Sequence, residues 1–169
     1  GGELLYNSTV GKGTTFEFSV DLTCIDEVVA SDVDTDLATQ FEGRVLLVDD
    51  NQTNLFVGGL MLERMGLDVR TANDGQEAVE VLDNQKFDLV LMDITMPVMD
   101  GETATKTIRG KGNETPVIAL TAHVGEELAA KYARSGMQGV VFKPINKAEL
   151  IRTLSRYIPT KQIAAEARR

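Results

Sequence analysis

The stretch VLLVDDNQTN, residues 45–54, places Asp49 and Asp50 directly after four aliphatic residues. Such an apolar run is typical of a strand that is buried on both faces, whereas a carboxylate is costly to remove from water. Two carboxylates at the end of one strand also repel each other unless a cation lies nearby. We therefore predict a buried strand whose end carries a function.

Apolar runs and helix-like stretches alternate along the chain from Gly43 onward. The apolar runs predict five strands, at 45–48, 67–71, 89–92, 117–120 and 140–142. The amphipathic stretches predict five helices, at 53–65, 75–85, 101–109, 125–135 and 146–158. Strands that are separated by helices need crossover connections. We therefore predict an α/β fold with a doubly wound, five-stranded parallel sheet that helices cover on both faces.

Two local signals bear on the helices. Asn146, followed three residues later by Glu149, predicts a capped helix start. Gly58 and Gly59 interrupt the first predicted helix, and each costs about 1 kcal/mol relative to alanine. Close packing of this helix against a strand would explain the two glycines.

The N-terminal part of the chain has a different composition. Residues 3–22 predict two strands joined by a glycine-rich turn, and one face of the second strand carries Phe16, Phe18, Val20 and Leu22. Two strands cannot bury such a face stably, so we interpret this short β-hairpin as a remnant of a larger domain. Residues 25–42 hold six acidic residues and no basic ones, which predicts a solvated linker.

The bulk composition narrows the class of protein. A hydrophobic content of 43% can form a core, and a formal net charge of −9 argues against nucleic-acid binding. Cys24 is the single cysteine, so the chain cannot form an internal disulfide. This cysteine content is compatible with a protein of the reducing cytosol. The sequence shows neither a bilayer-spanning apolar stretch nor a signal-peptide pattern. We expect a soluble, cytoplasmic chain without membrane contact.

Functional side chains follow four of the predicted strands. They are Asp49 and Asp50 after the first strand, Asp93 after the third, Thr121 after the fourth and Lys143 after the fifth. Ligands of open parallel sheets bind beyond the carboxyl ends of the strands. Oxygen ligands without histidine or cysteine favour a hard cation such as Mg²⁺. A carboxylate beside such a metal can form an acyl phosphate, whose oxygens a hydroxyl and a lysine can hold.

Four segments together resemble the receiver domain of two-component phosphorelay proteins. They are LLVDDNQTN (46–54), DLVLMDITMPVMDG (88–101), VIALTAH (117–123) and GMQGVVFKPI (136–145). The resemblance implies a flavodoxin-like sheet of strand order 2-1-3-4-5. It also implies that Asp93 is the phosphoacceptor. Mg²⁺ would be bound directly by Asp50, Asp93 and the backbone carbonyl of Thr95, and through water by Asp49. Thr121 and Lys143 would contact the phosphoryl group, and the proline after Lys143 would be in the cis form.

The same resemblance assigns tuning roles to residues around the site. Thr95 and His123 would flank it and control the access of hydrolytic water. His123 is the single histidine, and its place in a strand-to-helix loop argues against a phosphohistidine role. Receivers often carry an aromatic residue three positions before the lysine, where this chain has Val140. Phe142 shares the strand face of Val140, and it either packs in the core or reports phosphorylation to a partner surface.

The first 22 residues, GGELLYNSTVGKGTTFEFSVDL, resemble the last strands of the ATP-binding domain of sensor histidine kinases. The order of segments then implies part of a hybrid histidine kinase. Its parts would be the end of the ATP-binding domain at 1–24, a linker at 25–42, a receiver at 43–160 and a tail at 161–169. GKGTT lacks the P-loop spacing and the other kinase motifs are missing here, so we expect no ATP binding by this chain. The parent protein is expected to be a membrane-anchored kinase.

The expected function is acceptance by Asp93 of a phosphoryl group from a kinase phosphohistidine, and exchange of that group with a histidine phosphotransfer domain or protein. One alternative is a binding module that works without phosphorylation, as in receivers that lack the acidic residues of the site. In this chain the acidic set is complete. Another is an aspartyl-phosphate phosphatase or phosphotransferase. The usual D-x-D signature of that class is missing, because Ile94 and Thr95 follow Asp93.

Overall fold

In the computed structural model of the chain, the described residues are 3–9, 11, 13–19, 39–123 and 126–161. Cys24, most of the predicted acidic linker and most of the predicted tail lie outside these ranges. The chain divides into two units, Gly1–Asp34 and Thr35–Arg169. Among the described residues, no helix combines the length and the hydropathy needed to cross a bilayer.

The first unit contains a β-hairpin. Strands β1 (Glu3–Thr9) and β2 (Gly13–Ser19) pair antiparallel, as the sequence predicts. Gly11 and Gly13 at the turn have φ angles of 78° and 100°, which only glycine adopts at little cost. The side chains of the predicted apolar face, Phe16, Phe18, Val20 and Leu22, lie outside the described part of the structure.

The second unit is built on a five-stranded parallel sheet. Its strands are β4 (Arg44–Val48), β5 (Asp68–Ala72), β6 (Leu89–Asp93), β7 (Val117–Thr121) and β8 (Gly139–Phe142). Their order in the sheet is β5-β4-β6-β7-β8, and every neighbouring pair is parallel. This is the predicted 2-1-3-4-5 order, so the flavodoxin-like α/β fold is confirmed.

Within the described residues, five helices cover this sheet: α1 (Gln52–Arg64), α2 (Gly75–Asn84), α3 (Gly101–Gly110), α4 (Glu126–Arg134) and α5 (Lys147–Leu154). Side-chain oxygens of Asn51, Asp74, Asp100 and Asn146 cap the starts of α1, α2, α3 and α5. Helix α5 ends at Leu154 rather than at the predicted residue 158, because residues 155–158 continue as turns that bond back to its last carbonyls.

The core has two layers, one on each face of the sheet. Alternate strand residues supply them, so Leu46 and Val48 belong to one layer and Val45 and Leu47 to the other. A Cβ at Gly58 of α1 would lie 3.0 Å from Leu47 Cδ2, which confirms close helix–strand packing there. A Cβ at Gly59 would meet nothing within 4 Å, and nothing in the structure explains that glycine.

A short strand pair closes the base of the second unit. Strand β3 (Gln40–Phe41) pairs antiparallel with β9 (Thr160–Lys161), and Phe41 is 1% exposed. The Phe41 amide also donates to the carbonyl of Met65 at 2.8 Å. Gln40 and Phe41 of the predicted linker therefore form a strand with Thr160 and Lys161, the second of which belongs to the predicted tail. Two-residue strands are too short to show a periodic pattern in the sequence. Phe41 is the single apolar residue of β3, so the sequence did not predict this strand.

Arg109 of α3 joins the ends of α3, α4 and β7 near the base of the sheet. Its guanidinium donates to the carbonyls of Gly136, Asn113 and Thr115 over 2.8–3.1 Å. Burial lowers the pKa of Arg109, and the nearby Glu114 carboxylate opposes this shift. The side chain therefore satisfies several loop carbonyls at once.

We expect Arg109→Met to lower the free energy of unfolding by about 1–3 kcal/mol, because it leaves partly buried carbonyls without donors. Urea denaturation followed by circular dichroism measures the loss. Arg152→Met is the matched control, since exposed Arg152 makes a single 3.3 Å bond to the Ala148 carbonyl, and its effect should stay within about 0.5 kcal/mol. Equal losses in the two variants would contradict the role given to Arg109.

Candidate metal centre

Three carboxylates meet beyond the carboxyl ends of β4 and β6, which are neighbours in the sheet. Asp49, Asp50 and Asp93 each offer an oxygen atom, and these atoms all lie within 4.8 Å of one another. Asp49 is 1% exposed and Asp93 is 7% exposed, whereas Asp50 faces solvent. The structure therefore brings together the acidic residues that the sequence singled out.

Lys143 completes the cluster from the end of β8. Its Nζ lies 2.6 Å from Asp49 Oδ2 and 2.8 Å from Asp93 Oδ2. Burial lowers the pKa of Lys143, but hydrogen bonds to the two carboxylates outweigh burial, so the net pKa is raised and the ammonium stays charged. Three carboxylates and one ammonium leave a formal charge of minus two, which matches a divalent cation.

The three aspartates differ in how the protein uses their oxygens. Asp49 accepts from the Asn51 amide at 2.9 Å and from Asn54 Nδ2 at 3.0 and 3.2 Å, in addition to Lys143. Asp50 makes no hydrogen bond or ion pair with any described residue, so its oxygens are available to a ligand. This donor set fits Mg²⁺, which takes one or two carboxylates and keeps several waters.

The loop after β6 shapes the cluster around Asp93. The Thr95 amide donates to Asp93 Oδ1 at 3.3 Å, and the Gly101 amide donates to the Ile94 carbonyl at 3.1 Å. A Cβ at Gly101 would lie 2.2 Å from the Asp93 carbonyl oxygen, so only glycine fits there. Sequence reasoning missed the roles of Gly101 and Asn54. The sequence signal for Gly101 was a glycine eight residues after Asp93. The signal for Asn54 was an amide side chain four residues, about one helical turn, after Asp50.

Thr121 lies at the end of β7, beside the cluster. Its carbonyl accepts from the Lys143 amide at 2.8 Å, and its Oγ1 accepts from the His123 amide at 3.1 Å. The hydroxyl of Tyr132, a buried residue of α4, lies 3.4 Å from the same Oγ1. The sequence did not indicate Tyr132, because a contact between a helix and a distant strand end leaves no periodic pattern.

The predicted tuning residues surround this end of the sheet. Thr95 and His123 are exposed in the loops after β6 and β7. Val140 is partly buried and packs on the core layer that contains Tyr132. Phe142 pairs with Thr121 in the register of β7 and β8, and it belongs to neither core layer of the described residues. The Lys143–Pro144 peptide is cis, as the resemblance implied.

The sequence and the structure are similar to those of known proteins. The response regulator receiver domain family matches residues 45–155. Transcription factor SKN7 of Saccharomyces cerevisiae is 38% identical over 114 residues, which cover 68% of this chain and 18% of SKN7. Autoinducer 2 sensor kinase/phosphatase LuxQ of Vibrio cholerae is 34% identical over 163 residues, which cover 92% of this chain and 19% of LuxQ.

A crystal structure of similar fold is that of the receiver domain of sensor histidine kinase PA1611 from Pseudomonas aeruginosa, with a magnesium ion coordinated in its active-site cleft. It matches with a TM-score of 0.63 and 38% identity, and the match covers 69% of this chain and 97% of that one. The chain spans about a fifth or less of the length of the curated relatives it matches first.

We expect Asp50→Asn to lower the affinity for Mg²⁺ by at least about tenfold, because it removes a carboxylate that no protein group occupies. Lys143→Met should raise the affinity by at least about threefold, because it removes a competing cation. Calorimetric titration of MgCl₂ into each variant measures both changes. Asp83→Asn, an exposed aspartate in a surface ion pair with Lys111, is the control. The same affinity in all four proteins would contradict this site.

Proposed function

This chain belongs to the response regulator receiver family, and on that premise we propose that Asp93 accepts a phosphoryl group from a phosphohistidine in a Mg²⁺-dependent reaction. The observation that carries the proposal is the ammonium of Lys143, held between Asp49 and Asp93 within 2.8 Å of each. This arrangement puts a positive charge beside the Asp93 carboxylate. A phosphoryl group transferred to Asp93 carries negative charge on its oxygens, and the ammonium stabilises that charge.

Mg²⁺ would be held by Asp50, Asp93 and the backbone carbonyl of Thr95, with Asp49 acting through water. The contacts of Asp49 with Asn51, Asn54 and Lys143 support this division, because they leave its oxygens little capacity for direct coordination. When bound, the ion supplies charge neutralisation to the phosphoryl oxygens.

The protein's own groups perform the remaining work. A carboxylate oxygen of Asp93 attacks phosphorus, the phosphorus–nitrogen bond of the phosphohistidine breaks, and the departing imidazole nitrogen keeps the electron pair and takes a proton from water. The product on Asp93 is an acyl phosphate. Lys143 and the Thr121 hydroxyl hold its oxygens, and the Thr95 amide orients Asp93 through a 3.3 Å hydrogen bond. The complete acidic set favours this function over a phosphorylation-independent binding module.

The parent protein is proposed to be a hybrid histidine kinase. The match to LuxQ covers 92% of the chain, about 155 of 169 residues, whereas the second unit accounts for only 135 residues, 35–169. The similarity to a sensor kinase therefore extends into the unit that holds the β-hairpin. This extent supports residues 1–24 as the end of an ATP-binding domain. A receiver that takes phosphate from such a kinase lies in the cytoplasm.

The proposed partner is a histidine phosphotransfer domain that docks over α1. Three neighbouring apolar side chains of this helix are exposed: Phe56 by 72%, Val57 by 53% and Leu60 by 40%. Helix α1 begins two residues after Asp50, so a partner that places its histidine at Asp93 must lie close to this face. A cavity of about 230 Å³ between α1 and the loop at Pro144, lined by Val57 and also by Asp49 and Lys143 of the site, can receive a side chain of that partner.

We expect the chain to gain the mass of one phosphoryl group when incubated with acetyl phosphate and Mg²⁺, and Asp93→Asn to abolish this gain because the attacking oxygen is lost. Intact-mass spectrometry reads the result directly. Asp83→Asn, whose carboxylate pairs with Lys111 away from the site, should label like the wild type. Equal labelling of Asp93→Asn and wild type would rule out the assignment.

We expect Phe56→Ala to slow phosphoryl transfer from a phosphorylated histidine phosphotransfer domain by about tenfold, because an exposed aromatic anchor is lost from the interface. Labelling by acetyl phosphate should not change, since the site itself is intact. Leu5→Ala is the control, because Leu5 is also exposed, by 59%, but belongs to the other unit. A normal transfer rate in Phe56→Ala would place the docking surface elsewhere.

A further inference from the structure

Tyr132 of α4 is a buried aromatic residue whose hydroxyl reaches the candidate site. Its side chain is 2% exposed, and its hydroxyl lies 3.4 Å from Thr121 Oγ1. Among the described residues, Thr121 is the one hydrogen-bond partner of this hydroxyl. A buried hydroxyl that loses its partner pays the cost of its desolvation. The pair therefore links the position of α4 to the position of the Thr121 hydroxyl.

A phosphoryl oxygen on Asp93 would accept the one hydrogen bond that the Thr121 hydroxyl can donate. A threonine hydroxyl can donate one hydrogen bond and accept two. Thr121 Oγ1 already accepts from the His123 amide at 3.1 Å and pairs with Tyr132 at 3.4 Å. If Thr121 turns to donate to a phosphoryl oxygen, its Oγ1 moves away from Tyr132, and the tyrosine hydroxyl must follow it or find another partner.

Strand β8 offers no aromatic ring for this task three positions before Lys143, where receivers often carry one. Val140 stands there and packs, partly buried, on the same core layer as Tyr132. A valine has neither a ring nor a hydroxyl. The polar aromatic group beside Thr121 thus comes from a helix rather than from a strand.

We propose that Tyr132 is a positioning residue for Thr121 and carries the response to phosphorylation from the site into α4, an inference that rests on the proposed role of Asp93. In the unphosphorylated protein the Tyr132 hydroxyl holds Thr121 in place. Phosphorylation breaks this hydrogen bond, and α4 then repacks.

Helix α4 has a second attachment, on its surface side. Glu102 of α3 pairs with Lys131 Nζ at 2.5 Å and accepts from Ser135 Oγ at 3.3 Å. Tyr132 therefore holds α4 to the core next to the site, while Glu102 holds it to α3. A change in the Tyr132 contact shifts the balance between these attachments, so the surface around Lys131 is where the phosphorylated state differs.

The test uses the full chain labelled with 3-fluorotyrosine and titrated with beryllium fluoride and Mg²⁺ as a phosphoryl mimic. The chain contains three tyrosines, so Tyr132→Phe and Tyr157→Phe assign the fluorine resonances. Tyr157 is also the matched control for affinity, because its hydroxyl donates to the Gln138 carbonyl at 3.2 Å at the opposite end of the sheet. Thr121→Val removes the partner hydroxyl and keeps the side-chain shape.

We expect the mimic to shift the Tyr132 resonance and leave that of Tyr157 in place. Tyr132→Phe should bind the mimic about two- to tenfold more tightly, since one hydrogen bond no longer has to break. Tyr157→Phe should bind it like the wild type. In the Thr121→Val background, adding Tyr132→Phe should not change the affinity for the mimic. A merely structural role of the ring does not predict this result.

The proposal is overturned if Tyr132→Phe binds the mimic no more tightly than the wild type, if its effect persists in the Thr121→Val background, or if the Tyr132 resonance stays still on saturation. Each of these results leaves the proposed function intact when the wild type binds the mimic and is labelled at Asp93. A wild-type chain that neither binds the mimic nor is labelled overturns the proposed function, and this inference with it.

Discussion

The ion pair of Lys143 with Asp49 and Asp93 is the constraint on which the rest of the domain depends. Two carboxylates about 5 Å apart repel by about 3 kcal/mol at an effective dielectric constant near 20. The sheet places the ends of β4 and β6 side by side, so this repulsion is built into the strand order. Lys143, which directly follows β8, two strands away from β6, relieves it by reaching across the crevice. Strand order and charge balance are therefore parts of one arrangement.

The same arrangement leaves a net negative charge at the site, and this charge can bind a cation. Lys143 balances only one of three carboxylates, while Asn51 and Asn54 fix the orientation of Asp49 from the start of α1. Asp50 has no partner among the described residues, so a cation completes what the protein leaves open. A site that was fully neutralised from within would attract a divalent cation less strongly.

Much of the fold and of the site could be predicted because both have local signals. Runs of four apolar residues mark strands buried on both faces, and a polar residue directly after such a run marks the ligand-binding edge, as at Asp49 and Asp93. Contacts that depend on three-dimensional packing had no such signal. The strand at Phe41 is too short for a period, and the contact of Tyr132 with Thr121 joins a helix to a strand end. Gly58 was open to interpretation until its distance to Leu47 was known.

The pairing of β3 with β9 has a consequence for how such a domain is joined to other proteins. The polypeptide enters at Gln40 and leaves at Lys161, and these two residues are directly paired across the ladder. The whole domain can therefore be spliced into a loop of a host protein without separating the flanking segments by more than the spacing of two strands. A pulling force on those segments would act first on this two-residue ladder. A domain whose two ends are paired in this way fits into different host proteins, and this chain matches parts of both a transcription factor and a sensor kinase.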